Sequence, residues 1–204
     1  MTEYLTFSLT VFTGFFAVMN PIANTPIFLG IVDGETKSTK LKIAKTATVT
    51  AFVIVAIFVI LGKYIFELFG ITIPAFKITG GILIFYIGFE MLMSKKSKVH
   101  NTQNNDDISS IAISPLAIPI LAGPGTIVTA MNFVTKGDFI HIAIVIVLFA
   151  FIVYLTYIAF TLSDKIVDRV GQNLIAVIGK IMGLILAIIG TGMVIEGVKL
   201  GFKV

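Results

Sequence analysis

The chain has 204 residues, of which 57% are hydrophobic and only 13% charged, and its mean hydropathy is +1.04. A soluble domain carries about 25% charged residues, so the composition excludes a water-soluble globule and predicts an all-α integral membrane protein. The absence of cysteine excludes disulfides and thiolate metal sites. The net charge of +4 comes from loop lysines, which do not form the basic and aromatic surface of a nucleic-acid-binding protein.

Six apolar segments long enough to cross a hydrocarbon core of about 30 Å follow one another along the chain. In order they are residues 4–32, 43–62, 72–94, 108–135, 139–163 and 172–197. The one long polar stretch, residues 95–110, is predicted to be a cytoplasmic linker. It divides the chain into a first part, residues 1–94, and a second part, residues 111–204.

The distribution of Lys and Arg between alternate loops predicts the orientation of the chain. Nine lie on one side: Lys37, Lys40, Lys42, Lys45, Lys95, Lys96, Lys98, Lys165 and Arg169. Five lie on the other: Lys63, Lys77, Lys136, Lys199 and Lys203. The first side is therefore predicted to be cytoplasmic, with both termini outside.

The two parts of the chain resemble each other when the sequence is shifted by 103 residues. Pro21 then falls on Pro124, and the segment KITGGIL at 77–83 falls on KIMGLIL at 180–186. Each repeat contains three spans, and because three is odd, the second copy enters the membrane from the opposite face. The sequence therefore predicts two inverted-topology three-helix repeats, an architecture typical of secondary transporters.

The prolines predict that the first helix of each repeat is discontinuous. Five of the six lie in two stretches, residues 20–26 and 115–126, and a proline inside a helix removes one backbone donor. As one straight helix, residues 4–32 would extend about 43 Å at 1.5 Å per residue, well beyond the hydrocarbon core. The alternative is that the prolines only kink the helices for packing, but their occurrence in both repeats favours two breaks that form a site.

Each break is predicted to begin a second half-helix. Asn20 before Pro21 has the pattern of an N-cap followed by a proline at N1, and Gly123-Pro124-Gly125 has the same role in the second repeat. Half-helix N-termini that meet near the middle of the membrane would bind an anionic group such as a carboxylate.

The predicted site residues are those of the two breaks. The residues predicted to bind substrate are Asn20, Pro21, Ala23, Asn24, Thr25, Gly123, Pro124, Gly125 and Thr126. The oxygen ligands predicted for a coupling cation come from Ala17, Asn24, Ile120 and Thr129. No Asp or Glu lies beside the breaks, so Na⁺ is favoured over H⁺ as the coupling ion, and no other cofactor or metal is expected.

Lys77 and Lys180 occupy equivalent positions in the two repeats. Either each pairs with a substrate carboxylate or holds a gate, or each reaches the membrane surface or binds a loop acid such as Glu67 or Asp168.

Three motifs resemble the MarC/SnatA family of six-helix inner-membrane proteins, which is related to the LysE-type exporters. They are NPIANTPIFL at 20–29, PAFKITGGIL at 74–83 and PLAIPILAGPGTI at 115–127. Ala23 stands where the family usually has glycine. The resemblance implies a location in the cytoplasmic membrane and transport of small neutral amino acids, glycine and alanine in particular, while other members are associated with multiple antibiotic resistance.

The leading hypothesis is therefore a secondary transporter of small neutral amino acids that works by alternating access. The alternatives are an exporter of other small solutes or drugs, and a channel-like or regulatory membrane protein without carrier activity. An enzyme is not expected, because apart from hydroxyls no catalytic groups converge at membrane depth. The expected partners are the substrate and the lipid bilayer, and the G-x-x-x-G pattern at 179–183 fits either a homo-oligomer or packing within one bundle.

Overall fold

The computed structural model describes residues 2–93, 112–134 and 138–202, and all regular structure in them is helical. The helices are α1 (Thr2–Met19), α2 (Thr25–Ile31), α3 (Lys37–Phe69), α4 (Ile73–Leu92), α5 (Ala112–Leu121), α6 (Pro124–Val134), α7 (Phe139–Thr161), α8 (Ser163–Val170) and α9 (Gln172–Phe202). α5 is π-helical. The predicted linker, residues 95–110, lies outside the described residues.

Four of these helices contain a continuous segment long and apolar enough to cross a bilayer. The segments are Lys37–Gly62, Ile73–Leu92, Phe139–Thr161 and Gln172–Phe202. The two other predicted spans are divided, the first into α1 and α2 and the fourth into α5 and α6. The described chain therefore has four continuous spanning helices, and the two divided segments are the proline-containing ones in which a discontinuity was predicted.

Glycines join α4 and α9 into one antiparallel pair. A Cβ atom built on Gly190 would lie 2.5 Å from the Gly81 carbonyl oxygen, and one built on Gly88 would lie 2.6 Å from the Ala187 backbone nitrogen. Any side chain at these positions would collide with backbone, so only glycine lets the two helices approach this closely. Gly81 and Gly88 are seven residues apart, as are Gly183 and Gly190, so each pair lies on one face of its helix.

The larger core lies between the other helices. α1 packs on α7, and α5 packs on α3. Phe15 of α1 is fully buried, with its ring 4.8 Å from that of Phe149 in α7. The short helix α2 packs on α7 and α8, where the rings of Phe28 and Phe160 stack at 4.5 Å. This stacking holds α2, which follows the break after α1, against the C-terminal end of α7.

Asp138 caps α7 at its first turn. Its Oδ1 accepts hydrogen bonds from the backbone N–H groups of Ile140 and His141, both at 3.1 Å, and lies 2.7 Å from His141 Nδ1. The hydrogen bond with the His141 side chain is the main reason why the pKa of Asp138 is lowered. A lowered carboxyl pKa means that the ionised group stabilises the fold at neutral pH and loses this effect as pH falls through the lowered pKa.

We therefore expect Asp138→Ala to lower the thermal stability at pH 7, because the first turn of α7 loses its cap. The difference in melting temperature between this variant and the wild type should shrink as pH falls and Asp138 becomes protonated. Thermal unfolding of both proteins in detergent at a series of pH values measures this difference. A difference that is constant down to acid pH would contradict the role of the ionised carboxylate.

Candidate functional site

The first break differs from the prediction in its details. α1 ends at Met19, and Asn20 has a φ of 40°, the one positive φ of a non-glycine residue in the described chain. α2 begins only at Thr25, after Asn24 and with Pro26 in its first turn. The prediction that Asn20 caps α2 with Pro21 at N1 is therefore wrong. Proline disfavours the α conformation of the residue before it, so Asn20 ends α1 instead of starting α2.

Two polar side chains of this break hold the turn together. The Asn24 amide Nδ2 donates to the Met19 carbonyl at 2.7 Å, and the Thr25 hydroxyl donates to the Ile22 carbonyl at 2.7 Å. Both groups were predicted to bind substrate, or in the case of Asn24 a cation. These hydrogen bonds tie both side chains to backbone carbonyls of the turn, and the Ile22 carbonyl also accepts the Thr25 N–H at 3.2 Å.

The second break lies between α5 and α6. The Ala122 N–H donates to the Ala117 carbonyl at 2.8 Å. This bond between residues five apart closes the last π-helical turn, which contains Ile120. α6 then begins at Pro124, the position predicted for this half-helix, and the Ile127 N–H donates to the Gly123 carbonyl at 3.1 Å. Thr126, in the first turn of α6, is buried.

The two breaks lie side by side because the end of α1 runs antiparallel to the start of α6. A Cβ built on Gly125 would lie 3.4 Å from Val18 Cγ2, and one built on Gly14 would lie 3.7 Å from Thr129 Cγ2. These contacts bring the end of α1, which Asn20 follows directly, close to the start of α6, which Gly123 precedes. We call this contact, from Gly14 to Asn20 and from Gly123 to Thr129, the α1–α6 seam.

Three polar atoms of the seam are buried without a hydrogen-bond partner in the described structure. They are Oδ1 and Nδ2 of Asn20 and the Oγ1 of Thr129, on residues that are only 2% and 3% exposed. A buried polar group without a partner costs roughly 1–3 kcal/mol, and most such groups in native proteins are paired. The seam therefore offers a donor, an acceptor and a hydroxyl to a polar ligand.

Some of the remaining predicted residues lie in the seam, and others lie against other helices. Ala17 lies at the end of α1, where its side chain is buried in a cluster with Ile84 and Leu186, and Pro21 has no N–H to donate to its carbonyl. Ala23 is half-buried and faces α9, 3.5 Å from a Cβ built on Gly179. The structure thus brings Asn20, the start of α6 and Thr129 to one seam and directs Ala23 away from it.

Lys77 and Lys180 have different surroundings although they occupy equivalent positions. Lys77 is 4% exposed, and its Nζ donates to Asn132 Oδ1 at 2.9 Å and to Glu196 Oε2 at 2.6 Å. Lys180 is exposed. Lys77 and Lys180 therefore do not form a symmetric pair, and the partner of Lys77 is Glu196 of α9 rather than Glu67. Asn132 and Glu196 were not among the predicted site residues, because nothing in their spacing links them to Lys77.

A cavity of about 350 Å³ lies away from the breaks, at the end of the bundle where α3 begins. Its polar lining residues are Glu35, Lys37, Lys40, Thr161, Ser163, Asp164 and Lys165. Most of them belong to the loops predicted to be cytoplasmic, so the cavity lies at that end of the bundle.

Comparison with known proteins gives relatives over almost the whole chain. A model described as MarC family integral membrane protein matches residues 5–202. The chain is 40% identical to the UPF0056 membrane protein YvbG of Bacillus subtilis, with 97% of each chain covered. It is 36% identical to the UPF0056 membrane protein PH0760 of Pyrococcus horikoshii, with both chains covered completely. No solved structure matches significantly. The chain belongs to the MarC family of integral membrane proteins and crosses the membrane several times.

Proposed function

We propose that the protein is a secondary transporter that moves small neutral amino acids across the cytoplasmic membrane by alternating access. The observation that carries the proposal is the Asn20 amide, which is buried without a partner where the two helix breaks meet. An amide offers both a donor and an acceptor, which suits a zwitterion with a carboxylate and an ammonium group. The start of α6 adds backbone N–H groups for the carboxylate.

The size of the site favours a small substrate. Gly125 contacts Val18 and Ile87 so closely that a Cβ atom at this position would lie 2.7 Å from Ile87 Cδ1. A substrate held between α1 and α6 must therefore fit beside small residues, as glycine and alanine do.

One helix crossing supports an inverted repeat, in which a two-fold axis would exchange each residue with the one 103 positions away. Such an axis passes where a residue lies opposite its own equivalent. Between α4 and α9, midway between the glycine contacts, this pair is Ile84 and Ala187, which differ by 103 positions, the offset of the sequence repeat.

One further pair of helix contacts agrees with the same symmetry. α1 packs on α7, whereas α5, its equivalent, packs on α3. The first helix of each repeat thus contacts the second helix of the other repeat. Two halves related by such an axis would have two arrangements of similar energy, as alternating access requires, and the Lys and Arg distribution favours an orientation with both termini outside.

The proposal is tested with purified protein in proteoliposomes. We expect saturable uptake of labelled glycine and alanine that shows counterflow, and faster uptake under an imposed Na⁺ gradient than under a pH gradient in Na⁺-free buffer. Flux without saturation or counterflow would indicate a channel instead of a carrier. The absence of flux for any small amino acid, with protein shown to be folded, would refute the proposed substrate class.

A further inference from the structure

We propose that Asn132 is a positioning residue whose hydrogen bond to Lys77 holds α6 against α4 and closes the end of the seam where α6 ends. The proposal rests on the proposed transport function, because it explains how one of two access states is stabilised. It concerns the three side chains Lys77, Asn132 and Glu196, which come from α4, α6 and α9.

Lys77 is the one charged side chain that is buried in the described part of the chain. A buried charge is costly unless it is paired, and Glu196, 2.6 Å from Nζ, supplies the opposite charge. Asn132 adds a neutral acceptor at 2.9 Å. Movement of α6 away from this pair therefore breaks one charge-assisted hydrogen bond and leaves the ion pair intact.

The helices joined by this bond differ in how firmly they are held. α4 and α9 pack backbone to backbone through their glycines and form one unit. α6 has only 11 residues and begins at a break, so the backbone can bend at its start. Val128 makes one of its apolar contacts with α4, with Cγ1 facing Gly80.

Asn132 is linked to the seam through α6 itself. Thr129 lies three residues before Asn132 and therefore on the same face of the helix. A helix of this length moves as one body, so a displacement that separates Asn132 from Lys77 also shifts Thr129 and Gly125 relative to α1.

The opposite end of the bundle has no equivalent of this bond in the described structure. The positions that correspond to Asn132 and Glu196 are Leu29 and Met93, which carry no polar side-chain group, and Lys180 is exposed. The cavity of about 350 Å³ lies at that opposite end. The bond from Lys77 to Asn132 therefore favours the state that is closed where α6 and α9 end.

The test measures access to the contact between α4 and α6. Because the chain has no cysteine, Val128→Cys gives a single reporter thiol in a nearly isosteric side chain. A membrane-impermeant maleimide is added to sealed proteoliposomes from the side on which α9 ends. Adding Asn132→Leu should raise the labelling rate about tenfold or more, because a hydrogen bond to a charged group is lost from the closed state only.

The control is Asn173→Leu, the same substitution at an exposed position at the start of α9, which should leave the labelling rate unchanged. Reagent added from the opposite side should also show no increase, since general loosening would accelerate labelling from both sides. If Asn132→Leu does not fold, Asn132→Ala removes the same acceptor. An unchanged rate in either folded variant, or equal acceleration from both sides, would overturn the proposal. Labelling does not require transport, so absence of amino acid flux would refute the proposed function separately.

Discussion

Asn20→Gly is expected to reduce amino acid transport at least tenfold without reducing the stability of the ligand-free protein. Glycine adopts the positive φ of Asn20 without strain, so the backbone of the break is preserved. The substitution removes an amide that has no partner in the described structure, and with it the cost of burying that amide unpaired. A substrate would lose one or two hydrogen bonds to a charged group, each of about 1.5–3 kcal/mol.

This combination of effects separates a binding residue from a structural one. If Asn20 only supported the fold, its replacement would lower the melting temperature, and the protein that remained folded would still transport. Initial uptake rates of labelled glycine, normalised to folded protein, and thermal unfolding of the same preparation distinguish the two cases. Full transport with a lowered melting temperature would refute a binding role for Asn20.

Thr129→Val tests the other unpaired group of the seam within the same experiment. Valine has nearly the shape of threonine but lacks the hydroxyl, so transport should fall while the fold persists. Thr156→Val is the matched control, because the Thr156 hydroxyl is also buried but already donates to the Ile152 carbonyl at 2.8 Å. Equal transport by the two valine variants would contradict a role of Thr129 in binding.

Gly190→Ala is expected to be the most destabilising single methyl addition in α9. The new Cβ would lie 2.5 Å from both the Gly81 carbonyl oxygen and the Phe85 backbone nitrogen, and backbone atoms cannot rotate away as a side chain can. Overpacking of a close contact costs typically 1–3 kcal/mol and sometimes more. We expect a loss of at least about 3 kcal/mol, or failure to fold, because α4 and α9 must separate.

Gly192→Ala is the control on the same helix. Gly192 is exposed, and a Cβ there would meet no atom within 4 Å. Alanine has a higher helix propensity than glycine by about 1 kcal/mol, so this variant should be as stable as the wild type or more so. Thermal unfolding in lipid nanodiscs compares the two variants, and equal melting temperatures would show that the glycine contact does not hold α4 and α9 together.

The apolar segments and the prolines that interrupt them were predictable from sequence, because both act on residues that are close together in the chain. The four continuous spans follow from uninterrupted apolar runs, and Pro124 marks the start of α6 as expected. The prediction for Asn20 failed because a proline permits two outcomes for the residue before it, an N-cap or a helix end in the left-handed region. The packing around the residue selects between these outcomes, and no local sequence pattern indicates which one occurs.

The glycine contact between α4 and α9 likewise could not be predicted from local sequence. The seven-residue spacing of Gly81 and Gly88, and of Gly183 and Gly190, is visible in the sequence. The spacing usually associated with helix contacts is instead the G-x-x-x-G pattern at 179–183. In the structure a Cβ on Gly179 would make only an ordinary contact with Ala23 at 3.5 Å. Which glycines face a neighbouring helix depends on the register between helices, which is set by residues far apart in the chain.

The sequence by itself determined that the chain is a membrane protein, where most of its helices run, and where two of its apolar segments are interrupted, because hydropathy and proline act within a few residues. Only the tertiary structure decided that Asn20 and Thr129 are buried without partners in one seam, and that Lys77 but not Lys180 is buried and paired. Equivalent residues of a repeat have the same local sequence but different neighbours. Burial and pairing are properties of those neighbours, so they arise only when the helices pack.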